Sequence, residues 1–294
     1  MDAMHVDRYA PSPTADLHLG NLRTALAGWL LARAAGGRWL MRIEDLDTAR
    51  VRAADGAAAR NLADLRRLGL DWDGDVLRQS ERLDCYRDAI AMLGERVYEC
   101  FCTRREILEA TAAPHDDGYR PYPGTCLRLS RAERAQRREQ RRPALRVRAD
   151  GATCTIHDRF AGDVTAVVDD FVLVRGDGEF AYNLASVVDD VSSGVTHVTR
   201  GDDLLSSAPR QAWLAQLLGG AAPTYAHVGL VLGRDGRRLA KRNGPANLDE
   251  AGGPARVLPW LTASLGLGEH DDVAGALAAM PPDYEFWTSR MSIT

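Results

Sequence analysis

The amino-terminal run of strand, loop and helix restricts the fold of this chain more than anything else in it. His5 to Ala10 reads as a short strand, Pro11 to Gly20 as a loop, and Asn21 to Ala35 as a helix carrying Leu22, Leu26, Trp29 and Leu30 on one face. Gly36-Gly37 stops that helix, and Arg38 to Ile43 forms a second strand that ends in the acidic run Glu44-Asp45-Leu46-Asp47. A βαβ unit of this kind points to a doubly wound α/β fold, which holds its ligands beyond the carboxyl ends of its strands. The loop suits that task. Its prolines fix the backbone, Gly20 permits close approach, and the helix start offers unpaired amides and a positive dipole end.

Further along, helices are expected near Ala53–Leu70 and Arg82–Tyr98. The texture changes from Cys100 to Arg175. Pro and Gly punctuate residues 114–124, a basic helix covers Arg131–Arg142, and short β-rich pieces follow. Helix and strand alternate again in Tyr182–Val191, Val195–Thr199 and Leu204–Leu218, before a glycine-arginine loop and short helices. The chain has 294 residues, so about 150 per domain predicts two units. Residues 1–98 and 178–222 read as two halves of the α/β domain, 99–177 as an inserted α+β subdomain, and 223–294 as a loop with a short helical tail.

Composition removes several functions. No apolar run approaches the roughly 20 residues of a membrane span, and the start lacks the basic-then-apolar pattern of a secretory signal. Five cysteines are too few for a disulfide scaffold, so a cytoplasmic protein is expected. The net charge of −4 rules out a chain that is basic throughout, and any RNA contact must be local. One such patch lies between Arg131 and Arg148, either a solvated face or a contact for RNA phosphates. All but one of the 37 basic residues are arginine. The exception is Lys241, and an arginine-favouring coding bias cannot account for it.

Arg8-Tyr9-Ala10-Pro11-Ser12-Pro13-Thr14 followed by Leu17-His18-Leu19-Gly20-Asn21 resembles the His-Ile-Gly-His signature of class I aminoacyl-tRNA synthetases, in its glutamyl branch. The resemblance continues through Arg42–Asp47, Tyr182–Asp190, His197–Leu205 and Arg238-Leu239-Ala240-Lys241-Arg242, in the family's order. It departs at Asn21, where the signature has a second histidine, and in the last block, which lacks the hydroxyls of Lys-Met-Ser-Lys-Ser. The resemblance implies a Rossmann-type class I synthetase fold, with an ATP site at Pro11, His18, Gly20, Asn21 and Lys241. His18 and Lys241 would be catalytic, stabilising charge on the phosphates. A compact ammonium can follow the departing pyrophosphate where a planar guanidinium cannot. Glutamate would lie on Arg8, Ala10, Ser12, Glu44, Tyr182 and Arg200, since two carboxylates call for cations and an ammonium for an anion. Mg²⁺ would accompany ATP.

Cys100, Cys102 and Cys126 are three thiols where structural zinc usually has four ligands. The resemblance implies Tyr122 as the fourth, with His115 as a rival and Tyr119 behind it. Three unliganded thiols are the plainer alternative, and Cys85 and Cys154 read as core residues. The chain ends at Thr294, soon after Lys241, with no long helical region expected to read an anticodon. It therefore resembles the stand-alone glutamyl-queuosine tRNA(Asp) synthetase family, which activates L-glutamate without tRNA and transfers it to queuosine of tRNA(Asp). A monomer is expected. A short glutamyl-tRNA synthetase, a non-catalytic RNA-binding relative and another nucleotidyltransferase remain as alternatives.

Overall fold

The computed structural model describes residues 4–103, 105–107, 121–233, 247–281 and 291–292. Strand β1 (Val6–Tyr9) leads through a loop to helix α1 (Leu19–Ala34) and back to β2 (Arg38–Ile43), which pairs in parallel with β1 from Val6–Arg38 to Tyr9–Met41. At the return, a side chain on Gly37 would collide with the His5 carbonyl, so the turn admits only glycine. The helix expected near Ala53–Leu70 forms as α3 (Ala57–Arg67), and a short helix that was not expected, α2 (Thr48–Ala53), precedes it. They part at Gly56, whose φ of 71° is left-handed. Strand β3 (Leu77–Arg78) then pairs in parallel with the end of β2.

Helix α4 (Leu83–Leu93) stops short of Tyr98 because Gly94 adopts φ 52°. The residues expected to continue it form β4 (Val97–Cys100) instead. The arginine-rich helix α5 (Arg131–Gln140) leads to β5 (Ala144–Val147). Next come the hairpin β6 (Thr153–Asp158) and β7 (Gly162–Val167), and then β8 (Val172–Val174). Helix α6 (Tyr182–Ser192), β9 (His197–Gly201), α7 (Ala208–Leu217) and β10 (Thr224–Val228) follow. The expected helix start at Leu204 is taken by a 3₁₀ segment over Asp202–Ser207, and α7 begins after it. β11 (Val231–Leu232) pairs with β12 (Met291–Ser292); between them lie α8 (Pro254–Ser264) and α9 (Val273–Ala278).

Segment 99–177 divides between two sheets. β5 runs antiparallel between β4 and β8, whereas β6 joins β10 in parallel through Asp158 and Tyr225. β10 in turn pairs with β9 over its whole length.

The two halves meet where β1 lies beside β9. The Thr196 N–H donates to the Val6 carbonyl (2.9 Å), but one residue on, the Asp7 carboxylate replaces the backbone as acceptor. It takes the Thr199 N–H at 3.2 Å and the Thr199 hydroxyl at 2.5 Å. The spatial order is thus β3-β2-β1-β9-β10. The chain leaves β1 toward β2 and β9 toward β10, so a crevice opens between their carboxyl ends. Helix α1 crosses this seam with Gly28, where a Cβ would press on Trp39 at 3.2 Å and Thr199 at 3.3 Å. On its other side α1 packs against Leu258, Leu261 and Ala276 of the tail, so it is buried nearly all round. Even Arg23 is buried, donating to the Gly229 and Ser264 carbonyls and the Ser264 hydroxyl. Among the described residues no helix is long and apolar enough to cross a membrane.

Candidate active site

A cleft of about 1080 Å³ opens at that crevice. Ala10, Pro11 and Ser12 from the loop after β1, His18, Gly20 and Asn21 at the start of α1, Glu44 after β2 and Tyr182 at the start of α6 all line it. So do Arg50, Asp203 and Leu204, which sequence reasoning did not single out. Lys241 lies outside the described residues, as do His115 and Tyr119.

His18 is the N-cap of α1. Its Nδ1 accepts the Asn21 N–H at 3.3 Å, and the Asn21 side-chain oxygen accepts the His18 N–H at 3.2 Å. This reciprocal cap satisfies two donors at the helix start. It also fixes the neutral imidazole's proton on Nε2, because a nitrogen that accepts from an amide carries no hydrogen. Asn21 thus has a structural task that the sequence did not reveal. A Cβ on Gly20 would sit 3.1 Å from the His18 ring, so the glycine leaves room for that ring.

Arg8 and Arg200 do not line the cleft themselves but stand behind its wall. Arg8 is buried and gives its Nε–H to Asp190 at 3.1 Å. The terminal N–H groups of its guanidinium have no partner among the described residues. The same Asp190 oxygen accepts from Arg42 at 2.5 Å, and Arg42 also donates to Glu44 (3.1 Å) and the Ser186 hydroxyl (3.1 Å). Two cations and two anions therefore alternate in a largely dry cluster. Burial works to raise the Asp190 carboxyl, yet Arg42 and Arg8 hold it below its ordinary range. Burial wins at Glu44, raising its carboxyl despite Arg42 and Arg8. An ammonium group placed beside Glu44 would favour the ionised form. Arg42 and Asp190, neither expected as site residues, hold the pair that was.

Arg200, on β9, is held on three sides. It donates to His227 Nε2 (3.0 Å), the Gln211 side-chain oxygen (2.6 Å) and the Leu204 carbonyl (3.1 Å), and reaches the Tyr182 hydroxyl at 3.4 Å. Through Tyr182 it adjoins the cleft.

Away from the cleft, Cys100 at the end of β4 meets Cys102 and Cys126, their sulfurs all within 4.8 Å of one another. The Tyr122 hydroxyl joins them, 3.4 Å from Cys100 Sγ and 3.6 Å from Cys102 Sγ. Cys102 and Cys126 sulfurs are 3.5 Å apart, against about 3.8 Å for the edge of a tetrahedron with Zn–S bonds near 2.3 Å. Three sulfurs and one oxygen in this arrangement can hold a tetrahedral metal ion. The Cys126 N–H donates to the Tyr122 oxygen (2.8 Å), which suits a phenolate, and the Arg146 guanidinium lies 3.8 Å from the centre of the Tyr122 ring. Without a metal, burial pushes the Cys102 thiol up to about 12. Nearby, Arg134, Arg138, Arg141, Arg142, Arg146 and Arg148 all bond or pair with protein oxygens, which tempers their reading as an open phosphate-binding face.

Residues 5–252 match the family of tRNA synthetases class I (E and Q), catalytic domain. Over 282 residues the chain is 55% identical to a glutamyl-Q tRNA(Asp) synthetase of Cutibacterium acnes, covering 94% of this chain and 81% of that one. Over 267 residues it is 58% identical to a protein of the same name from Nocardia farcinica, covering 88% and 84%. Among solved structures it is similar to a glutamate-tRNA synthetase from Elizabethkingia anophelis. There the TM-score is 0.80 at 26% identity, covering 99% of this chain and 68% of that one.

Proposed function

The chain belongs to the class I tRNA synthetases of the glutamate and glutamine branch, and we propose that it activates L-glutamate with ATP and transfers it to queuosine at the wobble position of tRNA(Asp). The observation that carries this reading is the cleft at the β1–β9 crevice. A helix start with His18 forms one wall, and the Arg8–Asp190–Arg42–Glu44 cluster with Tyr182 and Arg200 backs the other. The chain's likeness to proteins named glutamyl-Q tRNA(Asp) synthetase supports the acceptor.

In the first step an α-carboxylate oxygen of glutamate attacks the α-phosphorus of ATP. The bond to the bridging oxygen breaks, giving glutamyl-adenylate and pyrophosphate. His18 Nε2–H, the amides at the start of α1 and the Lys241 ammonium stabilise the growing phosphate charge. Mg²⁺ bound with the nucleotide would neutralise phosphate charge. Arg8, with its unspent N–H groups, and Arg200 with Tyr182 face the two carboxylates, and Glu44 faces the ammonium. Ala10 and Ser12 close the pocket beside them. In the second step a cyclopentene hydroxyl of queuosine attacks the activated carbonyl, its proton is lost and AMP departs. Cys100, Cys102, Cys126 and Tyr122 would hold a structural zinc ion, which would fix the loop after β4, and the arginine-rich helix α5 beside it would adjoin the RNA.

Glutamate-dependent ATP–pyrophosphate exchange without tRNA tests this. We expect exchange with glutamate and little with glutamine, whose amide would leave a buried guanidinium unpaired at a cost of roughly 1–3 kcal/mol or more. Exchange that requires tRNA, with glutamate recovered on a 3′-terminal adenosine, would make the chain a short glutamyl-tRNA synthetase instead.

A further inference from the structure

His227 and Asp158 lie outside every motif that marks the cleft, yet both are buried and in line with Arg200. Asp158 ends β6, His227 sits on β10 and Arg200 on β9, so three adjacent strands contribute one residue each. His227 is 3% exposed and Asp158 fully buried. Arg200 Nε–H points to His227 Nε2 at 3.0 Å, and a guanidinium can only donate. Nε2 must therefore be bare and the imidazole proton must sit on Nδ1. There it meets Asp158 Oδ2 at 2.6 Å. The carboxylate is itself immobile. Oδ2 also takes the His227 N–H (3.1 Å), and Oδ1 takes the N–H groups of Phe160 (2.9 Å) and Ala161 (2.8 Å).

We propose that Asp158 and His227 are positioning residues for glutamate recognition: the carboxylate sets the imidazole tautomer, and the bare Nε2 sets the rotation of the Arg200 guanidinium about its own axis. Gln211 on one terminal nitrogen and the Leu204 carbonyl on the other complete the clamp. Of the five guanidinium N–H groups, one on the second terminal nitrogen then has no partner among the described residues. Its direction is dictated by the other four. That N–H is the one offered to a substrate carboxylate, and the Tyr182 hydroxyl, held by the first terminal nitrogen, is a second donor on the same arginine's cleft side. The hairpin β6–β7 thereby acts on a pocket it does not line.

The groups facing the imidazole are consistent with a neutral ring. Asp158 faces it from β6, Arg200 from β9 and Asp202 from the segment after β9, and the Tyr225 ring stacks on it with centroids 5.8 Å apart. Burial lowers its pKa, Asp158 works against that, and Arg200 adds to it.

This inference rests on Arg200 contacting glutamate, and the test separates the two. In pyrophosphate exchange, His227→Phe removes the acceptor while retaining an aromatic ring beside Tyr225, and His227→Gln supplies an amide oxygen in its place. We expect the Phe variant to raise the glutamate KM by about 10- to 100-fold. The ATP KM should stay within about twofold, and the Gln variant should recover most of the loss. A glutamate KM unchanged in a folded Phe variant would overturn the proposal. The tautomer is read on the unaltered protein, from the ¹⁵N shifts of His227, so a variant that fails to fold does not remove the test. Nε2 should resonate as an unprotonated nitrogen, and a protonated Nε2 would overturn the proposal. Absence of exchange in the unaltered protein would instead overturn the assigned reaction. In that case glutamate binding by calorimetry, compared across the same variants, decides the positioning role.

Discussion

Replacing His18 separates two tasks performed at opposite nitrogens of one ring. Nδ1 caps α1 by accepting the Asn21 N–H at 3.3 Å, and such a cap contributes about 1 kcal/mol. Nε2–H is the donor assigned to the phosphates. A donor of that kind, matched to charge that grows in the transition state, is worth about 3–4 kcal/mol, or roughly 100- to 1000-fold in rate. His18→Asn keeps the first contribution, since an asparagine oxygen is among the best N-caps, and loses the second because the shorter side chain does not extend to the Nε2 position. His18→Ala loses both. In exchange assays, both variants should fall about 100- to 1000-fold in kcat, with glutamate and ATP KM values changed by less than about threefold. In denaturant unfolding the Asn variant should match the unaltered protein, and the Ala variant should lose about 1 kcal/mol. An Asn variant exchanging at the normal rate would refute the catalytic assignment. An Ala variant as stable as the Asn variant would refute the capping argument.

Lys241→Arg should lower the adenylation rate by about 2–4 kcal/mol of barrier while barely changing glutamate affinity, measured as kcat and KM in exchange; equal rates would make the lone lysine an accident of composition. Asp190→Asn should cost about 3 kcal/mol or more, because the buried Arg8 and Arg42 guanidiniums would lose the carboxylate that they share. The folded pKa of Asp190 is depressed. Its contribution is therefore complete above the unfolded carboxylate value near 4 and lost as pH falls through the lower folded value. Unfolding titrations should show the variant's deficit shrinking in acid, and a deficit independent of pH would count against the ion-pair account. Purified protein should carry near one zinc per chain, and Cys102→Ser should lose it. A chelator should weaken transfer to RNA before exchange, since the thiol cluster lies away from the cleft. Freely reactive thiols and no zinc after reconstitution would exclude the site, and a Tyr122→Phe variant that keeps its zinc would move the fourth ligand to His115.

How far the sequence reaches depends on the range of the interactions involved. The β1–α1–β2 unit was legible because its signals are local: a run of apolar residues, then Gly36-Gly37. The short helix α2 follows the acidic run without an apolar face to announce it, and the start of α3 after Gly56 is masked by a stretch rich in alanine and arginine. Strand β4 overlaps the expected helix at Val97 and Tyr98, because four residues are too few for a period to be distinguished and its partner β5 lies beyond a long intervening segment. The allegiance of hairpin β6–β7 to β10 left no local trace at all. The site divides in the same way. His18, Gly20, Glu44 and Tyr182 belong to recognisable blocks and line the cleft, whereas His227, Asp158 and Gln211 carry no motif and matter only through Arg200.

One physical rule could have narrowed that gap. Reading a pocket for glutamate as cations facing carboxylates counts only the charges that meet the ligand. A buried guanidinium also needs fixed acceptors before any ligand arrives, because leaving a charge unpaired out of water costs several kcal/mol. Each pocket arginine therefore implies an acceptor from another element. Here the acceptors are Asp190 for Arg8, shared with Arg42, and His227 with Gln211 for Arg200. Both Arg42 and Asp190 stood within blocks already noticed for their resemblance, at the end of β2 and on α6. Asking which anion satisfies Arg8 would have singled out the acidic positions of those blocks. The same count shows what remains for substrate. Arg8 spends one N–H on Asp190 and keeps its terminal groups unspent among the described residues, whereas Arg200 is nearly saturated. The two arginines differ in kind. Arg8 can adjust to a carboxylate, and Arg200 presents a direction fixed in advance, so a change in the acceptors of Arg200 should disturb selectivity more than a change in those of Arg8.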